Sequence, residues 1–341
     1  MQHSERSETT LGEVPDANGQ ESVSALLSTS NVSELPIDIR RALKEGMAKL
    51  RAAKVPSHTL AAELLLMHAL GRDRTSLYTH PEALLETADA DKYFALIARR
   101  ASGEPTQYII GKQEFWGLEF EVTPAVLIPR PETEHVMEVA LARLGPRGLK
   151  IHMHTGLPRD KLRVVDVGTG SGCLAISLAY ELPHAEVLAT DISAPSLEVA
   201  RRNATRHAVA DRIRFLQMDL LESLGQQPGS FDLIVSNPPY VASDEADQLQ
   251  REVRDHEPRE ALFGGPTGVE IYARLIEQAA ALLRSGGILV LELGYNSAEH
   301  VRAILTEAKG WTNVSFTNDL AGISRVASAD RISENISAIL S

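Results

Sequence analysis

The first part of the chain has an apolar period of three to four residues, which predicts α-helices. In the first such segment the apolar positions are Ile39, Ala42, Leu43, Met47 and Leu50. Two further segments, AAELLLMHAL and DKYFALIARRA, have the same pattern, and Gly71 ends the first of them. A small helical bundle is therefore predicted for residues 37–110.

The two ends of the chain lack such a pattern. Residues 1–36 are rich in Ser, Glu, Asn and Thr and show no sustained apolar period. Such a segment cannot bury enough apolar surface to offset the entropy of ordering it, so a disordered extension is predicted there. Residues 330–341 are interpreted as a C-terminal tail.

Aromatic and β-branched residues dominate the segment that follows the bundle, QEFWGLEFEVTPAVLI. This pattern predicts a β-hairpin linker over residues 111–130, with Pro124 at a strand edge or start. The next segment, IPRPETEHVMEVALARL, opens a helix. Pro131 suits the first helical position, and Glu132 and Glu134 lie in the first turn, where the helix dipole favours negative charge.

From Leu162 onward, strand and helix patterns alternate, after a stretch at 145–162 that has no period and is interpreted as a surface insertion. Strands are predicted in LRVVDVG, EVLATDI, RIRFLQMDL, FDLIVSNPP and GILVLELG. Helices are predicted in SGCLAISLAYEL, APSLEVARRNATRH, VEIYARLIEQAAALLRSG (ended by Gly286) and SAEHVRAILTEAKG. Two strands joined by a turn close this domain, which we assign to residues 131–329. Such alternation predicts a doubly wound α/β fold with a mostly parallel sheet, which binds ligands at the carboxyl ends of its strands.

Composition narrows the function classes. No run approaches the roughly 20 apolar residues of a membrane span, and MQHSERSETT lacks the features of a secretory signal. The single cysteine, Cys173, excludes an internal disulfide and fits a reducing cytoplasm. The net charge of −12 argues against a chain that grips phosphate backbones, so neither nucleic-acid nor membrane binding is expected.

The first motif with chemical meaning is VVDVGTGSG, which lies between a predicted strand and helix. Its glycines at 168, 170 and 172 allow a close backbone approach to a ligand. Asp191 ends the next strand, where its carboxylate can accept both ribose hydroxyls of an adenosine. The spacing is G-x-G-x-G, whereas a dinucleotide fingerprint has G-x-G-x-x-G. These residues alone are compatible with three interpretations: a methyltransferase, a dehydrogenase, or a glycine-rich turn without a ligand.

A third strand end carries Asp219 and Leu220. Asp219 could accept a hydrogen bond from an adenine amino group while Leu220 packs against the ring. The alternative is that Asp219 only starts the following turn.

The second motif is Asn237-Pro238-Pro239-Tyr240, directly after the strand FDLIVS. Two prolines make this strand end rigid and remove two amide donors, so its carbonyls are free acceptors. An Asn carbonyl oxygen and a neighbouring backbone carbonyl can accept both hydrogens of a planar NH₂ group, and Tyr240 can pack against that group. This arrangement suits methylation of an amide or exocyclic amino nitrogen. A rigid Pro-Pro turn is the alternative.

In this order and on these strands, DVGTGSG and SNPPY resemble the amino-nitrogen methyltransferases, a group that acts on DNA, ribosomal RNA or protein. The segment EFWGLEFEVTPAVLIPRPETE, GEPTQYIIG and the late DLAGISRV make the chain similar to the release factor glutamine methyltransferases in particular. The resemblance covers residues from about Ile37 to Ala329. It implies a class I Rossmann-like methyltransferase domain with a C-terminal antiparallel strand, preceded by the helical bundle and the hairpin linker.

The resemblance also implies the reaction and its participants. S-adenosyl-L-methionine would donate a methyl group to the side-chain amide of the glutamine in the Gly-Gly-Gln loop of bacterial peptide chain release factors, which the helical bundle helps to dock. Cofactor-binding residues would be Gly168, Thr169, Gly170, Ser171, Gly172, Asp191, Asp219, Leu220 and Asn237. Substrate-binding residues would be Asn237, Pro238, Pro239 and Tyr240, with Phe115, Arg130 and Glu132 near the site. Of these, Asn237, Pro238 and Tyr240 would be catalytic.

Three alternatives compete with this interpretation. A methyltransferase of ribosomal RNA or DNA shares the chemistry, and a non-catalytic adaptor shares the fold. A nicotinamide dehydrogenase fails on the glycine spacing and has no use for Asn-Pro-Pro-Tyr. The upstream IPRPETE segment and the acidic charge favour a protein substrate, and an adaptor need not retain Asp191 and Asn237.

Several conspicuous residues are given no catalytic role. Cys173 is interpreted as a small core residue, and His152 and His154 as exposed loop residues, so no metal site is predicted. The run ARRNATRH is expected to form only the exposed face of its helix. Asp255, His256 and Glu257 either gate the site, contact the partner or form a solvated charged segment.

Overall fold

A computed structural model describes residues 37–150, 161–224 and 229–332, with the side chains of 146–150 left undescribed. The predicted N-terminal extension, the two loop histidines and most of the C-terminal tail lie outside these residues.

Five helices form the N-terminal unit, in agreement with the predicted bundle. They are α1 (Ile39–Ala52), α2 (His58–Leu70), α3 (Arg74–Thr79), α4 (Thr87–Ala101) and α5 (Thr106–Ile110). The Asp38 carboxylate caps α1 by accepting a hydrogen bond from the Arg41 N–H at 2.7 Å, and Gly71 ends α2 in a left-handed conformation. Leu65 and Leu66 of α2 are fully buried in the core of this unit. The apolar period read along the sequence therefore marks its buried faces.

The predicted hairpin is present as β1 (Lys112–Phe115) and β2 (Leu118–Glu121), paired antiparallel. Pro124 lies in a turn beyond β2, so the prediction that it stands at a strand edge or start is wrong. Strand β2 ends at Glu121, three residues before the proline, and the Glu121 N–H donates to the Asn203 side chain at 2.7 Å.

A seven-stranded sheet forms the centre of the second unit, with strand order β10-β11-β9-β6-β3-β4-β5. Its strands are β3 (Arg163–Val167), β4 (Glu186–Asp191), β5 (Ile213–Gln217), β6 (Phe231–Ser236), β9 (Leu283–Glu292), β10 (Trp311–Asn318) and β11 (Ser324–Arg331). Neighbours from β5 to β9 are parallel, whereas β11 is antiparallel to both β9 and β10. The predicted mostly parallel sheet with a C-terminal antiparallel strand is confirmed, and β11 continues two residues past the assigned boundary at 329.

Helices cover both faces of this sheet. They are α6 (Glu134–Lys150, kinked at Gly145), α7 (Cys173–Glu181), α8 (Ala194–Arg206), α11 (Glu270–Leu282) and α12 (Ala298–Glu307). Two short helices, α9 (Arg251–His256) and α10 (Arg259–Leu262), lie outside these faces. Apolar residues of α6, α7 and α8 pack in one core and those of α11 and α12 in another. Within β3, Val164 joins the first core and Val165 the second, as expected for a strand buried on both faces.

The structure corrects two predicted boundaries. Helix α6 continues through the first residues of the supposed insertion, as far as Lys150. Helix α11 ends at Leu282 and not at Gly286, which lies inside β9 with φ +71°. The earlier end follows from tertiary contacts, because the Ser230 N–H donates to the Leu282 carbonyl and Arg284 forms an ion pair with Asp232.

Short elements between β6 and α11 have no clear signal in the sequence. Strand β7 (Val241–Ala242) pairs parallel with β8 (Phe263–Gly265), and α9 and α10 lie between them. They form a cover beyond the carboxyl end of β6. No helix among the described residues has the length and apolar character to cross a membrane.

Candidate active site

The loop from Gly168 to Gly172, here called the glycine loop, turns sharply between β3 and α7. Its three glycines have φ of +71°, +55° and +84°, a region that strains other residues. A Cβ on Gly172 would also lie 3.2 Å from the Cβ of Ala200 in α8, so this glycine allows α8 to pack closely against the loop. The N–H groups of Gly168 and Thr169 both donate to the Thr190 carbonyl at 2.9 Å, which ties the loop to β4.

Asp166, the residue two positions before this loop, is buried and faces it. Its Oδ2 accepts hydrogen bonds from the Thr169 hydroxyl at 2.7 Å and the Ala175 N–H at 3.1 Å. Its Oδ1 is buried without a hydrogen-bond partner, and burial raises the pKa of this carboxyl to about 7. A buried unpaired acceptor is costly unless a ligand satisfies it. The sequence interpretation noted Asp166 without giving it a role.

Asp191 ends β4 beside the glycine loop, as predicted. Its Oδ2 accepts from the Gly170 N–H at 2.8 Å and its Oδ1 from the Ser193 N–H at 2.9 Å. Burial raises the pKa of this carboxyl. The two backbone donors fix the carboxylate plane and leave each oxygen able to accept a further bond.

Asp219 and Leu220 follow β5 on the same edge of the sheet. The Asp219 Oδ2 lies 2.7 Å from the Arg274 guanidinium, which also contacts Glu222. Leu220 has φ +50°, uncommon for a residue with a side chain. Asp219 is therefore held by an ion pair that the sequence did not suggest.

The Asn-Pro-Pro-Tyr motif (residues 237–240) follows β6. The Asn237 Nδ2 donates to the Thr133 Oγ1 at 3.1 Å, and the Thr133 hydroxyl lies 2.6 Å from the Glu292 Oε2. Thr133 and Glu292 are 1% and 2% exposed. Neither was nominated from the sequence, although Thr133 stands next to Glu132.

Three glycines outside the motif lie against its backbone and ring. A Cβ on Gly264 would lie 2.5 Å from the Pro239 carbonyl oxygen, and one on Gly268 would lie 2.4 Å from the Tyr240 carbonyl oxygen. A Cβ on Gly294 would lie 2.7 Å from the Tyr240 ring. The motif is therefore packed so closely that only glycine fits at these neighbours.

These elements enclose a cavity of about 270 Å³ at the carboxyl edge of the sheet. Nine residues nominated from the sequence line it, namely Gly168, Thr169, Gly170, Ser171, Asp191, Asp219, Leu220, Asn237 and Pro239. Asp166 and Thr133 line it as well, and Ala261 and Phe263 belong to its cover. The cavity thus joins the glycine loop to the Asn-Pro-Pro-Tyr motif.

Other nominated residues lie outside the cavity lining. Phe115 is 1% exposed, packs edge-on against Phe120 and does not line this cavity, and its expected place beside the cofactor stays a prediction. Its position in β1 turns it toward the core, against the face that carries α6 and α7. Glu132 is partly buried near Glu292. Gly172, Pro238 and Tyr240 do not line the cavity themselves, but each is next in sequence to a residue that does.

The charged segment before α10 is not simply solvated. Glu257 is buried, forms an ion pair with Arg130 and accepts a hydrogen bond from the Ile128 N–H. Asp255, by contrast, is exposed and pairs with Arg254. This segment therefore ties the cover of the cavity to the chain that enters α6.

Two further expectations concern α7 and α8. Asn203 is 1% exposed and bridges β2 to the glycine loop, so the expectation that ARRNATRH forms only an exposed face is wrong. Cys173 packs against the core, where burial raises the pKa of its thiol to about 12. No group of three or more metal-binding side chains occurs among the described residues.

Comparison with known proteins agrees with this geometry. Residues 41–111 match the PrmC N-terminal domain and residues 148–255 the methyltransferase small domain. The release factor glutamine methyltransferase of Koribacter versatilis is 46% identical over 84% of this chain and 96% of its own length. The chain belongs to the release factor glutamine methyltransferase family. The family member from Nitratidesulfovibrio vulgaris is 43% identical over 85% of this chain and 94% of its own.

Membership of this family makes the protein a methyltransferase, and the methyltransferase family implies use of S-adenosylmethionine. The hMettl16 catalytic domain, solved in complex with a 3′UTR hairpin, superposes with a TM-score of 0.50 over 72% of this chain and 81% of that one. At 17% identity it shares the fold alone.

Proposed function

We propose that this methyltransferase transfers a methyl group from S-adenosyl-L-methionine to the side-chain amide nitrogen of the glutamine in the Gly-Gly-Gln loop of bacterial peptide chain release factors. The observation that carries the proposal is the partly buried Asn237 carboxamide at the cavity, in a chain whose relatives are named for this reaction. Such a modification would act in translation termination.

The glycine loop, Asp166, Asp191, Asp219 and Leu220 form one side of the cavity, here called the donor side because it would bind the methyl donor. This side fits S-adenosylmethionine, which supplies an electrophilic methyl group when bound. Asp191 would accept the ribose hydroxyls, since two backbone donors hold its carboxylate at the cavity wall. The unpartnered Asp166 Oδ1 is suited to a cationic amino group, which would satisfy it and lower its raised pKa. Leu220 would pack against the adenine, and the glycine loop would approach the ligand through its backbone.

Asp219 is proposed to contact the adenine edge together with its partner Arg274. Both residues line the cavity, and the ion pair orients the Asp219 carboxylate. Gly168, Thr169, Gly170, Ser171 and Gly172 complete the proposed cofactor site.

The side of the cavity at the Asn-Pro-Pro-Tyr motif, here called the acceptor side because it would bind the methyl acceptor, would orient the glutamine amide. An amide nitrogen is a weak nucleophile because its lone pair is delocalised into the carbonyl. Asn237 Oδ1 and the Pro238 carbonyl would accept the two amide hydrogens, which fixes the NH₂ plane and raises electron density on nitrogen. The nitrogen then forms its bond to the methyl carbon as the carbon–sulfur bond breaks, and it sheds one proton afterwards. Alignment of the reacting atoms accounts for much of the acceleration.

Residues around this centre would hold the protein substrate. The partly buried Tyr240 ring would stabilise the wall of the amide site, and Arg130 and Glu132 would stand near its mouth. We propose that the bundle of residues 37–110 docks the release factor. Its exposed apolar side chains Leu60, Tyr78 and Leu84 support this, as does the ion pair that fixes Arg100 of α4 to Glu252 of α9.

The acidic net charge of −12 supports a protein substrate over a nucleic acid. An enzyme that modifies release factors would work in the cytoplasm, where translation terminates.

Methyl transfer from labelled S-adenosylmethionine tests the proposal. Three acceptors are compared: a bacterial release factor, the same factor with its loop Gln changed to Ala, and ribosomal RNA. Label in the wild-type factor alone is expected. Label in the RNA would identify a nucleic-acid methyltransferase, and cofactor binding without any transfer would identify an adaptor.

A further inference from the structure

A chain of hydrogen bonds connects the Asn-Pro-Pro-Tyr motif to two other elements of the domain. It links Glu292 at the end of β9, Thr133 in the turn before α6 and Asn237 after β6. The two bonds measure 2.6 Å and 3.1 Å. Residues more than a hundred positions apart in sequence therefore meet at one side chain of the candidate site.

The order of donors in this chain follows from the chemistry of the three groups. An ionised carboxylate can only accept, so the Thr133 hydroxyl must donate its one hydrogen to Glu292. The Thr133 oxygen is then left as an acceptor, and the group that faces it must be the NH₂ of Asn237. The carboxamide oxygen of Asn237 consequently points away from Thr133.

We propose that Thr133 and Glu292 are positioning residues that determine which end of the Asn237 carboxamide faces the substrate amide. This inference rests on the proposed function, in which the Asn237 oxygen accepts an amide hydrogen. A flipped carboxamide would present NH₂ to NH₂, which repels the substrate group that it should orient. Without Thr133 and Glu292, the two orientations of Asn237 would be separated only by contacts with the substrate.

The burial of Glu292 supports a role beyond packing. A carboxylate with 2% exposure costs far more to bury than a leucine or methionine of similar size. The charged and titratable groups around it come from several elements, namely Glu132, Arg130, Arg325, Tyr240, Tyr272 and Cys173. Tyr272 donates to the Glu292 backbone carbonyl at 2.9 Å and so holds the strand end in place.

A matched pair of variants tests the role of Thr133. Thr133→Val keeps the shape of the side chain and removes the hydroxyl, whereas Thr133→Ser keeps the hydroxyl. For Thr133→Val we expect turnover to fall by about 10²-fold, the scale of a misplaced reacting group, with unchanged KM for the release factor and unchanged cofactor Kd. Thr133→Ser should restore turnover.

Two results would overturn the inference. One is normal turnover in Thr133→Val; the other is an equal loss in both variants, which would point to packing and not to the hydroxyl. A circular dichroism melt of each variant separates loss of folding from loss of positioning.

A second measurement does not depend on catalysis. The side-chain NH₂ resonances of Asn237, assigned by comparison with Asn237→Ala, should shift and exchange faster with solvent in Thr133→Val than in wild type or Thr133→Ser. Unchanged resonances would refute the hydrogen-bond chain. If wild type methylated no release factor, the proposed function would fail, yet these resonances would still decide whether Thr133 orients Asn237.

Discussion

The two ends of the cavity are held by different kinds of contact. On the donor side, Asp191 is oriented by the backbone N–H groups of Gly170 and Ser193, one of them two residues away. On the acceptor side, Asn237 is oriented by Thr133 and, through it, by Glu292. Asp191 on the donor side is thus held by turns and backbone, and Asn237 on the acceptor side by side chains that the fold brings together.

This difference has a consequence for substitutions. Backbone donors persist when neighbouring side chains change, so the donor side should lose only what the altered residue itself contributes. The acceptor side depends on a chain of single hydrogen bonds, so loss of one member should propagate to Asn237. Changes on the donor side should therefore alter cofactor affinity, and changes on the acceptor side should alter turnover.

The largest effect is expected for Asn237→Ala. Loss of one preorganised polar group that acts in the transition state lowers turnover by about 10²–10³-fold. Cofactor affinity should change much less, because Asn237 is one of many residues that line the cavity. Single-turnover methylation together with calorimetric titration of S-adenosylmethionine measures both quantities. Normal turnover in Asn237→Ala would show that Asn237 does not orient the substrate amide.

Asp191→Ala should give the opposite pattern. Hydrogen bonds to a charged group contribute about 1.5–3 kcal/mol, so we expect cofactor Kd to rise by about 10–100-fold. Turnover at saturating cofactor should stay near that of wild type. Calorimetry and saturation kinetics check this, and Glu198→Ala, an exposed change on α8, serves as the control. A fall in turnover at full saturation would show that the two sides are not separable.

The pH dependence of turnover should arise on the acceptor side, and the pH dependence of cofactor affinity on the donor side. Burial raises the pKa of Glu292 to about 7, so this group is ionised above that pH and protonated below it. A protonated Glu292 can donate to Thr133, which frees the Thr133 hydrogen to face Asn237 and allows the carboxamide to flip. Turnover at saturating substrates should therefore fall as the pH drops below about 7.

Glu292→Gln provides the comparison for this pH profile, since Gln does not titrate. The loss of turnover at acid pH should disappear or weaken in this variant, while protonation of Asp166, whose pKa is also about 7, should still act on cofactor affinity. If the turnover of Glu292→Gln fell at acid pH as much as that of wild type, a group other than Glu292 would be responsible for the loss.

The smallest effect is expected for Cys173→Ser on the donor side. Burial raises the pKa of the thiol to about 12, so it is not a nucleophile at neutral pH. Turnover and cofactor affinity should remain close to wild type. A large loss of turnover would require a catalytic thiol and would contradict the account of this side.

The sequence could predict the donor side because its signals are local. The glycine loop and Asp191 stand at the ends of consecutive strands, where apolar patterns and glycine spacing locate them. The Asn-Pro-Pro-Tyr motif was equally visible. The supports of Asn237 were not, because Thr133 and Glu292 lie 104 and 55 positions away, and only the completed sheet brings them together.

The wrong predictions also arise from contacts between residues that are far apart in sequence. Asn203 looked like part of a solvated helix face, yet its amide binds β2 and the glycine loop. The end of α11 is determined by partners from β6 and not by the glycine that follows it. In each case a contact distant in sequence outweighs a local signal.

The most direct test of the account is to locate the transferred methyl group. A release factor incubated with the enzyme and S-adenosylmethionine is digested and sequenced by tandem mass spectrometry, with Asn237→Ala enzyme as the control. We predict one methyl group on the side-chain nitrogen of the Gly-Gly-Gln glutamine, present with wild type and almost absent with the control. A methyl group on another residue, or equal modification by both enzymes, would contradict the role assigned to the acceptor side.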